Sequence, residues 1–216
     1  LAALNTRGET IIKAKKSRDH SELLFKYLKL PIKISKKKNY DLIRIKGKKK
    51  IPSINYRIPA DISSSAFFIV LTALSKNSKL KIRNININPS RTGILSILKI
   101  MKVKIKVLNK RTYKGEHIAD LLVHGSKKFK SINCPIKFNS AAIDEFLLIF
   151  LIAAKANGTS YFKNLSELNE KESPRLKWGS KILNKIGVRN IVTNNSIKIY
   201  GNPNVEVNKK IVIKNF

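Results

Sequence analysis

The chain has 216 residues, 43% of them apolar, and 45 Lys and Arg against 13 Asp and Glu, a formal net charge of +32. That length and apolar content exclude a disordered tail and suit one large domain or two small ones. The single cysteine excludes an internal disulfide, the three scattered His have no zinc spacing, and the longest apolar run, Phe146 to Ala154, is too short to span a bilayer.

In chain order, "LAALNTRGE" reads as the end of a helix closing on a turn at Gly8. An alternating strand follows, then the polar "SRDH", an amphipathic helix through "SELLFKYLKL", and two strands ending in "YDLIRIKG". The run "KGKKK", Lys46 to Lys50, reads as a solvated turn. The positive excess is lysine rather than arginine, spread along the whole chain, and aromatics are sparse. A nucleic-acid surface needs a patch interleaved with rings, so the charge reads as compositional.

In "YRIPADISSS", Pro59 restricts its neighbour and Asp61 can cap a helix beginning near Ser63, which places a domain boundary near Ile58. The next helix, "SSSAFFIVLTAL", is apolar all round and is expected to be buried inside a ring of other elements. After a turn at Asn77 come a strand, the one-striped helix "RTGILSILKIM", and two strands ending in "IADLLVHG". Cys134 falls on a further predicted strand. The most apolar helix, "AAIDEFLLIFLIAA", leads to a turn at Gly158, a strand, the loop "NLSELNEKESP", an outer helix, and strands ending in "SIKIYG".

Gly8, Asn77 and Gly158 thus mark one grammar repeated at roughly 70 to 80 residues, the size of a βαβαββ unit. Apolar helices ringed by sheets and outer helices make an inside-out α/β architecture. Because the first unit opens with only a stub helix, the barrel is expected to be incomplete.

Each unit carries Ser and Arg between its strand and outer helix: Ser17-Arg18, Ser90-Arg91, and Ser173 with Arg175. Helix starts offer free N–H groups that favour anions. Ser173 is the expected N-cap and Pro174 the first helical residue. Glu167, Glu170 and Glu172 crowd one window with Lys171 and Arg175, and Asp144-Glu145 heads the most apolar helix. Carboxylates there are either helix caps or partly desolvated acids and bases. His20 beside Asp19 is a candidate base, although a lone histidine near a helix start is more often a cap or a polar contact. No Walker loop, Gly-rich dinucleotide turn or Ser/His/Asp order is present. Pattern alone reaches an α/β repeat protein handling an anion.

The ordered set "RGET…SRDHSE", "IPADISSSAFFIV", "NPSRTGIL", "ADLLVHGS", "AAIDEF" and "ELNEKESPRL" resembles the 5-enolpyruvylshikimate-3-phosphate synthase family over almost all of Leu1 to Tyr200. The resemblance implies the enolpyruvyl transferase fold, an inside-out α/β barrel of βαβαββ repeats. Residues 1–58 would be the tail of the lower domain and 59–216 most of the second.

It also implies joining phosphoenolpyruvate to the 5-hydroxyl of shikimate 3-phosphate through a tetrahedral intermediate that then expels phosphate. Ser17 and Arg18 would hold the shikimate phosphate, and Asp144 would accept the hydroxyl proton. Lys171 would contact the bridging oxygen, Glu172 would exchange the methylene proton, and Arg175 would bind phosphoenolpyruvate. Glu167 falls with the substrate-binding group. No cofactor or metal is implied, and a cytoplasmic monomer is expected at full length.

The family pattern R-V-K-E-S-D-R is departed from at Asn169, Glu170 and Pro174, and Ala60 stands where a Gly is usual. Motifs expected before Leu1 and after Phe216 mark the chain as an internal fragment, expected to have no turnover alone. Enolpyruvyl transfer to a UDP-sugar and nucleic-acid binding by a related fold are the rival readings.

Overall fold

A computed structural model describes residues 1–47 and 50–206. Lys48 and Lys49 of the basic run, and the end of the 59–216 range, lie outside the described residues.

The repeated grammar becomes repeated structure. The first unit runs α1 (Ala2–Asn5), β1 (Glu9–Lys15), α2 (His20–Tyr27), β2 (Ile32–Lys36) and β3 (Tyr40–Lys46). The second runs α3 (Ile62–Leu74), β4 (Lys79–Asn86), α4 (Gly93–Ile100), β5 (Lys104–Tyr113) and β6 (Glu116–His124). The third adds a short β7 (Phe129–Lys130) before α5 (Phe146–Ala154), β8 (Ala156–Lys163), α6 (Arg175–Lys185), β9 (Asn190–Val192) and β10 (Ser196–Gly201). Gly8, Asn77 and Gly158 all hold positive φ, at 86°, 59° and 94°. Such a backbone suits Gly and Asn, which is why those two types mark the repeat.

Every unit folds its last strand into the middle of an antiparallel sheet, giving orders β1-β3-β2, β4-β6-β5 and β8-β10-β9. The leading strand of the βαβαββ unit is reduced in the second unit to one parallel bridge, Ala60 to Ile85, across α3. In the third it is β7, parallel to β8 across α5. The middle sheet slips register between Ile82 and Ile85 and again between Leu108 and Arg111. Asp120 repairs both slips: its carboxylate accepts the Asn84 N–H at 3.1 Å and Asn109 Nδ2 at 3.0 Å.

Two buried clusters form. The larger spans the second and third units and centres on α5, whose Phe146 and Phe150 meet Phe162 of β8 at ring separations of 6.0 and 5.2 Å. The smaller is confined to Leu4, Phe25, Leu30, Ile43 and Ile45 of the first unit.

The expected burial of both apolar helices holds for α5 but not for α3. Ile62, Ala66, Ile69, Val70 and Ala73 of α3 are buried, whereas Phe67, Phe68 and Leu71 are 63%, 60% and 63% exposed. All-round hydrophobicity reports what a helix can bury, and here the neighbouring elements cover one side only. Cys134 also departs from expectation. It lies beside the isolated bridge of Asn133 with Tyr161 rather than in a strand, donating its N–H to Tyr161 O at 2.9 Å. Burial pushes its thiol up to about 11, so it is inert.

Candidate active site

The site assembles where the strands of all three units hand over to their outer helices. Two loops of the third unit are pinned together first. Asn139 Nδ2 donates to the carbonyls of Lys163 and Asn164 at 2.7 and 3.0 Å. This holds the turn that leads into α5 against the end of β8. The N-terminus of α4 lies flush on the same turn: a Cβ on Gly93 would fall 2.7 Å from both Phe138 O and Ala141 C. Asp144, at the end of that turn, therefore sits beside the loop that carries Glu167, Lys171 and Glu172.

Asp144 is gripped from both sides. Lys171 Nζ lies 3.7 Å and Arg175 Nη1 3.4 Å from its Oδ1. Arg18 Nη2, from the first unit and 126 residues distant in sequence, donates to its Oδ2. Partial desolvation pushes this carboxyl up. The Arg18 hydrogen bond and the charges of Arg18, Lys171 and Arg175 outweigh it, and the group is held below the usual carboxylate range.

The same cations carry a second ring of acids. Glu167 Oε1 is 3.6 Å from Lys171 Nζ, and Glu172 Oε2 accepts from Arg175 Nη2 at 2.6 Å. Glu172 is exposed, and its pKa is lowered by its own backbone N–H and by Arg175. Glu170 is exposed and Asn169 ties its loop to Asn194 O at 3.1 Å.

Arg18 owes its reach to its neighbours. Asp19 accepts Asn88 Nδ2 at 2.8 Å, and His20 Nδ1 contacts Glu116 Oε1 at 2.5 Å. Glu116 is buried and also accepts Asn86 Nδ2 at 3.0 Å. Both residues after Arg18 are thus anchored on the second unit, which aims Arg18 at the third. His20 is a tether of α2 and makes no contact with Asp144. Ser17 is exposed and makes no side-chain hydrogen bond among the described residues.

Ser173 is not the N-cap of α6. Pro174 occupies that position at φ −72° and ψ 73°, with no side-chain cap. The Arg175 N–H donates back to Ser173 O at 2.7 Å, an inverse γ-turn. This tight turn moves the helix start to Arg175, so its guanidinium leaves the first residue of the helix.

A supporting network runs behind Asp144. Asp61 caps α3, accepting the Ser64 N–H at 2.8 Å, and also accepts Arg91 Nη2 at 2.9 Å. Arg91 Nη2 donates to Ser63 Oγ at 2.7 Å, and Ser63 Oγ donates to Glu145 Oε1. Glu145 is 2% exposed, and burial, reinforced by the Asp144 charge, pushes its carboxyl up despite the Ser63 bond. Two adjacent carboxyls therefore hold opposite tendencies, Asp144 toward ionisation and Glu145 toward the neutral acid. The Ser-Arg repetition picked out Arg91. Nothing local picked out Ser63, Asn139 or Asn88, whose partners lie 82, 24 or 25, and 69 residues away.

Chemically, three cations from two units converge on one carboxylate, with a second acid an ion pair away. That arrangement can orient an anionic substrate and move a proton beside it.

A family model described as EPSP synthase (3-phosphoshikimate 1-carboxyvinyltransferase) matches residues 1–211. A 3-phosphoshikimate 1-carboxyvinyltransferase of Petrotoga mobilis is 37% identical over 210 residues, covering 96% of this chain and 48% of that protein. One from Legionella pneumophila is 40% identical over 189 residues, covering 87% of this chain and 42% of that protein. The chain spans about half the length of the curated relatives it matches. An EPSP synthase structure from Acinetobacter baumannii superposes with a TM-score of 0.84 at 34% identity, over 93% of this chain and 44% of that one. The enolpyruvyl transferase NikO of Streptomyces tendae, at 14% identity and a TM-score of 0.63, shares the fold.

Proposed function

The chain belongs to the EPSP synthase family, and from that premise we propose that its Asp144 cluster serves transfer of the enolpyruvyl group of phosphoenolpyruvate to the 5-hydroxyl of shikimate 3-phosphate. The observation that carries this reading is the grip of Arg18, Lys171 and Arg175 on Asp144. Arg18, with Ser17, holds the shikimate phosphate, and Arg175 and Lys171 hold phosphoenolpyruvate. The substrate anions draw these cations away from Asp144. Losing them raises its basicity, and it takes the proton from the 5-hydroxyl as that oxygen bonds to C2 of phosphoenolpyruvate.

Glu172 delivers a proton to the methylene carbon and removes one again when the C2–O bond to phosphate breaks. Lys171 stabilises charge on that bridging oxygen. Glu167 sets Lys171 in place. The two separate buried clusters support a division into residues 1–58, the tail of a shikimate-phosphate-binding domain, and 59–216, most of the second domain. A UDP-sugar acceptor has no support among the named relatives.

Thermal-shift titration of the chain with shikimate 3-phosphate tests this. Saturable stabilisation is expected, weakened at least about tenfold in Arg18→Gln, the equivalent of about 1.4 kcal/mol. No saturable shift, or an Arg18→Gln response equal to the parent's, would sink the assignment.

A further inference from the structure

A cavity of about 700 Å³ opens at the end of the second unit's sheet remote from Asp144. β4 starts at this cavity with Lys79 and ends at Asn86, near the Asp61–Arg91 network, so the two sites stand roughly 25 Å apart along the strand.

One rung of the sheet sets its rim. Lys79 of β4 and Lys104 of β5 both face His124 of β6, and directly opposed residues point to the same side. Lys76 enters from the turn after α3, and Lys127 and Lys128 from the segment after β6. No Asp or Glu lines the cavity. Elsewhere several lysines are matched: Lys81 pairs with Asp120 at 3.2 Å, and Lys13 and Lys163 lie 4.6 and 4.7 Å over tyrosine rings. None of the five cavity lysines makes an ion pair or lies over a ring among the described residues.

The wall behind them is fixed and one of its polar groups is unanswered. The Gly125 N–H donates to Ser78 O at 2.8 Å and the Ser126 N–H to Ala73 O at 2.9 Å. Ser78 Oγ is shared between the carbonyls of Thr72 and Ser75, both at 2.7 Å. A Cβ on Gly125 would fall 2.0 Å from Ser75 O, so sheet and turn are in closest contact. Ser126 lines the cavity, is 5% exposed, and its Oγ is buried with no hydrogen-bond partner. Five lysine charges crowded on one rim without a matching acid are relieved by an anionic guest.

We propose that this cavity is an anion site, separate from the Asp144 cluster, for a small ligand carrying two or more phosphate groups. Five ammonium groups exceed what one phosphate can engage, and a lone phosphate is far smaller than the space. Lysine binds phosphate as a point charge without demanding planar geometry. No Phe, Tyr or Trp lines the cavity and His124 is the single ring there, so it lacks the row of platforms on which successive nucleic-acid bases stack.

Isothermal titration with inorganic tripolyphosphate at fixed ionic strength tests this on the 216-residue chain. The parent is compared with Lys79→Gln/Lys104→Gln/Lys128→Gln, with Lys79→Gln/Lys104→Gln, and with Arg18→Gln/Arg175→Gln. A saturable site is expected that weakens at least about tenfold in the triple lysine variant and persists in the arginine pair, which loses only the separate binding that the Asp144 cations offer an anion. Parent-like affinity in the triple variant, or loss of binding in the arginine pair, overturns the proposal. If the triple variant does not fold, Lys79→Gln/Lys104→Gln decides, and unchanged affinity there overturns it. Tighter binding of a single-stranded oligonucleotide, growing with its length, replaces the small ligand with nucleic acid.

Discussion

Asp144 and Glu145 are neighbours in sequence yet answer to different surroundings. Asp144 faces three cations, while Glu145 is folded inward against a single serine hydroxyl. Because burial raises the Glu145 pKa, the folded protein holds this proton more tightly than the unfolded chain. Its effect on stability is therefore most favourable below the unfolded value, near pH 4.3, and becomes a penalty as pH rises. Glu145→Gln keeps the acceptor for Ser63 and removes the charge. It is expected to raise the thermal midpoint at pH 7 more than at pH 4.

Asp120 is the opposite case. Hydrogen bonds from Asn109 and the Asn84 N–H, with Lys81, hold it down to about 2. Its contribution is fully present above about pH 4, the unfolded value, and is lost as pH falls toward 2. Urea midpoints measured across that window should fall for the parent and stay flatter for Asp120→Asn.

Neither environment was legible in sequence. "IDE" showed two acids at a helix start, but their difference is made by Arg18 and Ser63, 126 and 82 residues away. Pattern reached the repeat and the elements because those depend on local periodicity. It reached the cluster only through family resemblance.

At the scale of elements, hydrophobic pattern and helix burial part company. α3 and α5 read alike, and only α5 is enclosed. The reason lies in their partners: α5 packs among α3, α4, α6 and the third sheet, while the Phe67–Leu71 side of α3 meets solvent among the described residues. The shifted start of α6 has a similar origin. A serine before proline satisfies every capping rule, but the turn closed by Arg175 uses the available backbone differently.

Contact between elements also reaches the site. Gly93 lets α4 lie directly on the turn that presents Asp144, and its would-be Cβ meets backbone rather than a side-chain tip. Gly93→Ala should cost about 1–3 kcal/mol in urea denaturation. On the proposed function it should also weaken any stabilisation by shikimate 3-phosphate beyond the loss in fold stability, because the displaced turn carries the Asp144 carboxylate.

Taken whole, the molecule combines a charge of +32 with few acids to offset it. Self-repulsion opposes the compact state, and salt screens it: the Debye length shrinks from about 30 Å at 0.01 M to about 10 Å at 0.1 M. The thermal midpoint is expected to rise by a few degrees over that range in sodium chloride. A flat or falling midpoint would mean that the lysines are already neutralised within the fold.

The two separate buried clusters also set an order of events. Each sheet closes within its own stretch of chain, so β1 to β3 and β4 to β6 need nothing distant to form. Five buried side chains hold the first unit, against the far larger set beneath α5. Its amide hydrogens should exchange with solvent well before those of the middle sheet. The ion pair between Arg18 of the first unit and Asp144 of the third, which spans the two clusters, is then expected to form last on refolding and to be lost first.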